Sequence, residues 1–123
     1  MAIRRILVQT LAASLLATAA SAMTVQEFLT TASHIPMNPT ALLRSDTRRL
    51  MSEFRGAMRT VRDEEVVARS AGRSPATCMP EKVGFSPDQI LGRFNAIPSS
   101  RRAAISVTQA VREWMAQQYP CPA

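Results

Sequence analysis

The stretch CMPEKVGFSPDQILGRFNAIPSSRRAAISVTQAVREWMAQQYPC, residues 78–121, decides the fold of this chain. Within it, the sequence Ser-Pro-Asp-Gln at 86–89 has the form of a capping box with proline at the first helical position. Apolar residues then recur at helical spacing until Pro98, which cannot continue a helix. The pattern therefore predicts a helix over 86–97.

A second helix is predicted directly after the first. Ser99 or Ser100 supplies its N-cap and Pro120 stops it, so we expect it over 100–118. Its apolar residues lie on one face because they recur at three- and four-residue steps. The side chains expected to form this buried stripe are Ala104, Val107, Val111, Trp114 and Met115.

Two cysteines flank this pair of helices. If the helices form an antiparallel hairpin, Cys78 before the first lies beside Cys121 after the second, and a bond between them closes the open end. Closing a loop of about 44 residues stabilises a fold by ~4 kcal/mol in the chain-entropy model. A redox pair usually shows Cys-x-x-Cys spacing, and a nucleophilic cysteine needs a histidine base, for which His34 is the one candidate. We therefore predict a structural disulfide.

The N-terminal half is also predicted to be helical. Thr24 and Glu27 form a capping box, which places a first helix at about 24–33. Asn38-Pro39 then begins a segment whose apolar residues keep helical spacing to Ala68.

As one helix, 39–69 would be ~45 Å long, against a diameter of ~33 Å for a domain of this size. The segment either breaks or packs its end on a second subunit. We favour a break near Ser45-Asp46, because Asp46 can cap a new start. Gly72 marks the C-terminal end, and the Ser-, Gly- and Pro-rich residues 70–85 form a loop.

The fold class that follows is all-α. No segment alternates with period two for long enough to predict a strand. We expect a small bundle of four to five helices with a disulfide-closed C-terminal helical hairpin, formed by residues 23–123 as a single domain.

The first 22 residues have the layout of a secretory signal peptide. Arg4 and Arg5 precede the apolar stretch 6–17, and small residues at 20–22 occupy the positions that determine cleavage. The apolar stretch is too short to cross ~30 Å of hydrocarbon comfortably, so stable membrane insertion after cleavage is not expected. Cleavage after Ala22, or alternatively after residue 19, would release a periplasmic protein.

Charge and composition argue against nucleic-acid binding. The chain has 15 Lys and Arg against 9 Asp and Glu, and eight arginines lie in 44–73. Acidic residues interleave with them, and mixed charge on a long helix usually marks a solvated face. An exported protein also rarely meets nucleic acid.

Residue types that could carry catalysis are few. His34 has no partner ligands near it in sequence, and the acids at 63–65 are predicted to be a solvated surface run, since adjacent residues on a helix point in different directions. The methionines on apolar stripes are expected to fill gaps in the core, namely Met51, Met58 and Met115. No phosphate loop, nucleophile elbow or metal-spaced motif appears. We therefore predict a protein that is not an enzyme and holds no cofactor or metal.

Four short motifs in the C-terminal half resemble those of one known family. They are Cys78-Met79-Pro80, Phe85-Ser86-Pro87-Asp88-Gln89-Ile90, Pro98-Ser99-Ser100-Arg101 and Tyr119-Pro120-Cys121. In this order they look like the motifs of the Rap/Tai immunity proteins. The resemblance implies a small exported all-helical protein, often dimeric. Such proteins bind peptidoglycan amidase effectors of type VI secretion systems and block their clefts.

Two functions remain open at this stage. The first is an immunity protein that occludes an amidase, for which the loop Ser70 to Thr77 beside the hairpin is the expected contact region. The second is a general periplasmic protein-binding or chaperone-like module that uses methionine-rich apolar faces. Both require a protein partner, and a homodimer is compatible with either.

Overall fold

The computed structural model describes residues 22–122, and residues 1–21 of the predicted signal peptide lie outside the described residues. The described range holds five α-helices, one 3-10 helix and no β-strand, which confirms the predicted all-α class. The elements are α1 (Val25–Ser33), the 3-10 helix (Pro39–Leu43), α2 (Ser45–Ser70), α3 (Pro87–Asn95), α4 (Ser99–Arg102) and α5 (Val107–Gln118). Between residues 22 and 122, no helix has both the length and the apolar character needed to cross a bilayer.

Hydrogen bonds at the caps confirm the predicted starts of α1 and α3. At α3 the capping box is complete: the Gln89 N–H donates to Ser86 Oγ at 3.2 Å, and the Ser86 N–H donates to Gln89 Oε1 at 2.8 Å. At α1 the Glu27 N–H donates to Thr24 Oγ1 at 3.1 Å, which is one half of the predicted box. Each cap satisfies backbone donors that a helix N-terminus leaves unpaired.

The long segment after residue 38 breaks next to Ser45, as predicted. Arg44 is extended (φ −80°, ψ 140°) and separates the 3-10 helix from α2. The predicted cap at this break is wrong, because Asp46 forms no cap and instead pairs with the Arg44 guanidinium at 3.0 Å. The remaining 26 residues of α2 make a helix of about 39 Å.

The C-terminus of α2 is fixed by glycine, as predicted. Gly72 has φ of 71°, a left-handed conformation that side chains rarely adopt. The Arg73 N–H donates to the Ala68 carbonyl at 2.8 Å, and the Gly72 N–H donates to the Arg69 carbonyl at 3.0 Å. This is the Schellman arrangement that closes a helix end.

The prediction of one helix over 100–118 is wrong, because the chain divides there into α4 and α5. The Val25 N–H donates to the Ile105 carbonyl at 3.1 Å, and the Val107 N–H donates to the Met23 carbonyl at 2.9 Å. These bonds form an antiparallel bridge between residues remote in sequence. Since the bridge uses backbone groups of residues 105–107, a continuous helix cannot use them.

The division changes both the cap and the buried stripe of the last helix. Ser106 caps α5 through a 3.0 Å bond from the Gln109 N–H, in place of the predicted Ser99 or Ser100. Ala104, predicted to be buried, is exposed. The other four predicted stripe residues are buried in the core, namely Val107, Val111, Trp114 and Met115.

Aromatic side chains link the helices at the centre of the core. Phe54 of α2 lies 6.2 Å from Trp114 of α5 and 6.5 Å from Phe94 of α3, measured between ring centroids. Phe94 also meets Phe28 of α1 edge to face at 5.1 Å, and Phe85 lies 4.3 Å from Trp114. These contacts bring one aromatic residue from each major helix into a single cluster.

The last helix packs chiefly along α2. Glu64 of α2 accepts from the Arg112 guanidinium of α5 at 2.6 Å, which fixes the register of the two helices at the surface. On α4, Arg101 pairs with Glu113 of α5 at 3.0 Å. The disulfide-closed segment 78–121 therefore packs against α2 through α5.

Candidate functional site

The structure joins Cys78 and Cys121 in a disulfide, as the sequence predicts. Their Cα atoms are 4.9 Å apart and 43 positions apart in sequence. The Cys78 N–H donates to the Tyr119 carbonyl at 2.9 Å, and Thr77 pairs with Pro120 in a short bridge. The disulfide is therefore reinforced by a main-chain hydrogen bond within this short bridge.

Glu65 of α2 holds the same loop through its carboxylate. The prediction that 63–65 form a solvated run fails at Glu65, which is 8% exposed. Its Oε1 accepts from the Met79 N–H at 2.9 Å and lies 3.6 Å from the Arg69 guanidinium. Arg69 also contacts Cys78 Sγ at 3.2 Å. The carboxylate thus tethers the disulfide segment to α2.

A sequence signal for Glu65 exists. The residue lies four positions after Val61 and three before Ala68, both of which are buried. A charged residue at such a position on an apolar stripe is buried only if it gains partners. The residue that supplies the partner, Met79, lies on the loop after α2, so helical periodicity could not identify it.

An apolar groove lies between α1, the 3-10 helix, α2 and the start of α3. Its volume is about 400 Å³, and no charged side chain lines it within the described residues. Its lining includes Phe28, Ile35, Met37, Leu42, Met51 and Leu91. We refer to this feature as the apolar groove.

Several groove residues are exposed to a degree that the sequence did not predict. Met37 is 76% exposed and Leu42 is 74% exposed. Met51, expected to fill the core, is 37% exposed, whereas Met115 is fully buried and Met58 packs against the core as predicted. Single exposed apolar residues are ordinary, but several on one concave surface make the apolar groove the candidate binding surface.

The groove wall also holds an unpaired hydroxyl. Thr47 Oγ1 is buried and has no hydrogen-bond partner, the one such side-chain atom found among residues 22–122. Thr47 lines the groove near the start of α2. Buried polar groups are nearly always paired, so this atom carries an energetic cost in the free protein.

Two ion pairs outside the groove shift the titration of their carboxylates. The hydrogen bond from Arg112 holds the pKa of Glu64 below its ordinary value, against a smaller opposing effect of burial. Hydrogen bonds from Arg101 and then Gln109 likewise lower the pKa of Glu113. Both acids connect helices and belong to the scaffold.

The other residues singled out in the sequence do not converge on one place. His34 is the exposed C-cap of α1. The loop Ser70 to Thr77 begins at the last residue of α2, is exposed over 71–74 and ends at the buried Thr77. Among residues 22–122, no group of three or more His, Cys, Asp and Glu side chains lies close enough to hold a metal ion.

Comparisons with protein-family models, curated proteins and solved structures give no match for this chain. The candidate site therefore rests on its own geometry: a disulfide-tethered helical body that presents one apolar groove. The resemblance of its short motifs to the Rap/Tai immunity proteins stays a prediction.

Proposed function

We propose that this protein is an exported inhibitor that binds and blocks a peptidoglycan amidase effector of a type VI secretion system. In this proposal the chain is delivered to the periplasm by a cleavable signal peptide at 1–22. It acts there as an immunity protein, without a reaction centre of its own. Dimerisation, which the family resemblance implies, is part of the proposal.

The observation that supports the proposal most is the convergence of the family-like motifs. Cys78 is bonded to Cys121, and its N–H donates to the carbonyl of Tyr119. The Ser86 capping box begins the first helix inside this closed segment. Motifs far apart in sequence thus belong to one tethered unit, as expected if they were kept together as an inhibitor scaffold.

Periplasmic co-expression with the candidate amidase tests this function. Cells that produce the amidase fused to an export signal should lyse. Cells that also produce this protein should survive. A control chain lacking residues 2–22 should not protect, because it stays in the cytoplasm. Lysis that is equal with and without the exported protein contradicts the proposal.

The exposed apolar groove favours a second candidate, a general protein-binding or chaperone-like module. Leu42 and Met37 are each exposed by about three quarters, a feature that client-binding surfaces share. This function predicts that the protein suppresses aggregation of several unrelated unfolded proteins at stoichiometric amounts. Protection of cells from one amidase without any suppression of aggregation separates the inhibitor from the chaperone.

A further inference from the structure

A row of arginines runs along one side of α2. Arg48, Arg55 and Arg59 are exposed and are separated by seven and four positions, which places them on the same side of the helix. None of the three forms an ion pair with any residue from 22 to 122. We call these three residues the arginine row; it spans about 17 Å at 1.5 Å per residue.

The arginine row borders the apolar groove. Met51, a groove residue, lies three positions after Arg48 and four before Arg55, so both arginines are its neighbours on the helix surface. The lining of the groove itself is uncharged. The surface therefore combines an apolar depression with positive charge along one edge.

This combination fits an amphipathic acidic helix. Such a helix carries an apolar stripe at three- and four-residue steps and can carry carboxylates along one flank. The stripe matches the groove, and the flank matches the arginine row. A second copy of this chain is a poorer match. Without Arg4 and Arg5 of the signal peptide, the mature chain has 13 basic and 9 acidic side chains, and this net charge of +4 opposes association at a face bordered by arginines.

We infer that the apolar groove and the arginine row together bind an amphipathic acidic helix of a protein partner, with apolar side chains in the groove and carboxylates against the row. The inference rests on the proposed function for the role of that partner as the inhibited enzyme. It deepens that function by naming the surface and the chemistry of contact.

A synthetic peptide of about 15 residues, which forms its helix on binding, is the probe. It carries leucines at three- and four-residue steps and glutamates elsewhere, and its fluorescence anisotropy is measured with the full mature chain. We expect binding that weakens as salt rises. A matched peptide with lysine in place of every glutamate should bind at least about tenfold more weakly.

Variants locate the binding surface. Reversing two row charges in R48E/R55E, or placing a charge in the groove with Leu42→Asp, should weaken binding of the acidic peptide about tenfold or more. All three side chains are exposed, so the variants should keep the wild-type circular dichroism spectrum and melting temperature.

Matched controls carry the same changes elsewhere. R49E/R73E alters net charge equally at exposed arginines outside the row, and Val67→Asp places a charge at an apolar residue that is 58% exposed outside the groove. We expect these variants to bind the peptide within about twofold of wild type. Equal weakening by the controls and by the groove variants overturns the inference.

Other occupants give distinct results that also overturn it. One is displacement of the peptide by vesicles of phosphatidylglycerol and phosphatidylethanolamine, which assigns the surface to a membrane. The other is a dimer in sedimentation equilibrium that Leu42→Asp dissociates, which assigns the groove to a second copy.

The co-expression assay separates this inference from the proposed function. If wild type protects cells and L42D and R48E/R55E protect equally well, the groove inference fails while the inhibitor function stands. If wild type does not protect but the peptide pattern holds, the inhibitor function fails and the groove remains a site for acidic helices.

Discussion

Replacing Glu65 with alanine is expected to destabilise the fold by about 2–3 kcal/mol. The carboxylate accepts from the Met79 N–H at 2.9 Å, and both residues are 8% exposed. A hydrogen bond to a charged group contributes about 1.5–3 kcal/mol net. The Arg69 contact at 3.6 Å adds at most about 0.5 kcal/mol, because the Arg69 side chain is 59% exposed. The main-chain bond therefore dominates the expected loss.

The Glu65→Gln variant separates the contribution of the hydrogen-bond acceptor to stability from that of the negative charge. Glu65→Gln keeps an oxygen that can accept from the Met79 N–H, so we expect a loss of about 1 kcal/mol. The neighbouring Asp63 is exposed and forms no ion pair with any described residue, which makes Asp63→Ala a suitable control. That variant should lie within about 0.5 kcal/mol of wild type.

Urea unfolding followed by far-UV circular dichroism measures these differences, with the disulfide intact in every sample. For a domain of this size the alanine variant should also melt about 10–20 °C below wild type. The reasoning is refuted if Glu65→Ala and Asp63→Ala unfold at the same urea concentration. It is also refuted if glutamine and alanine at position 65 are equally damaging, because the acceptor would then contribute nothing.

Three further predictions concern the disulfide, the groove wall and the surface ion pair. Replacing both Cys78 and Cys121 with serine should cost about 4 kcal/mol, since the closed loop has a sequence separation of 43; unchanged urea unfolding of the double variant contradicts this. Thr47→Val should raise the free energy of unfolding by about 1 kcal/mol in the same assay, because it removes an unpaired buried hydroxyl. A lower free energy of unfolding would show that the hydroxyl has a partner. Hydrogen bonding from Arg112 lowers the pKa of Glu64 below 4.5, so this pair stabilises the fold above that pH and the contribution is lost as the pH falls through the lowered pKa. The difference in urea midpoint between wild type and Arg112→Gln should therefore shrink in acid, and a difference that is constant from neutral pH to pH ~2 opposes this assignment.

Much of the helical architecture was predictable because it depends on neighbours within a few positions. The Ser86 box and the Thr24 cap place helix starts through bonds between residues three apart. Gly72 ends α2 because a left-handed residue is needed there. The disulfide was predictable for a different reason, since two cysteines that flank a helical pair in a chain predicted to be exported leave few alternatives.

The candidate site was less predictable, because its features depend on how separate elements meet. Leu42 of the 3-10 helix and Met51 of α2 both line the groove. An apolar residue at helical spacing has the same sequence pattern whether its side chain is buried in the core or exposed in a groove. Leu42 lies just before the break at Arg44 and is 74% exposed. The exposure that defines the groove thus depends on how α1, the 3-10 helix, α2 and the start of α3 are placed around it.

Local sequence was enough to specify the starts of α1 and α3, the end of α2, the all-α class and the cysteine pair. Tertiary structure alone decided that the last helical segment divides at residues 103–106, since the bridge to Met23 and Val25 takes its backbone groups. Tertiary structure also buried Glu65, whose partner Met79 lies 14 positions away in a loop. Helix caps and apolar stripes depend on residues within one or two helical turns, so they can be recognised in the local sequence. A bridge or a buried tether forms only when packing brings distant segments together.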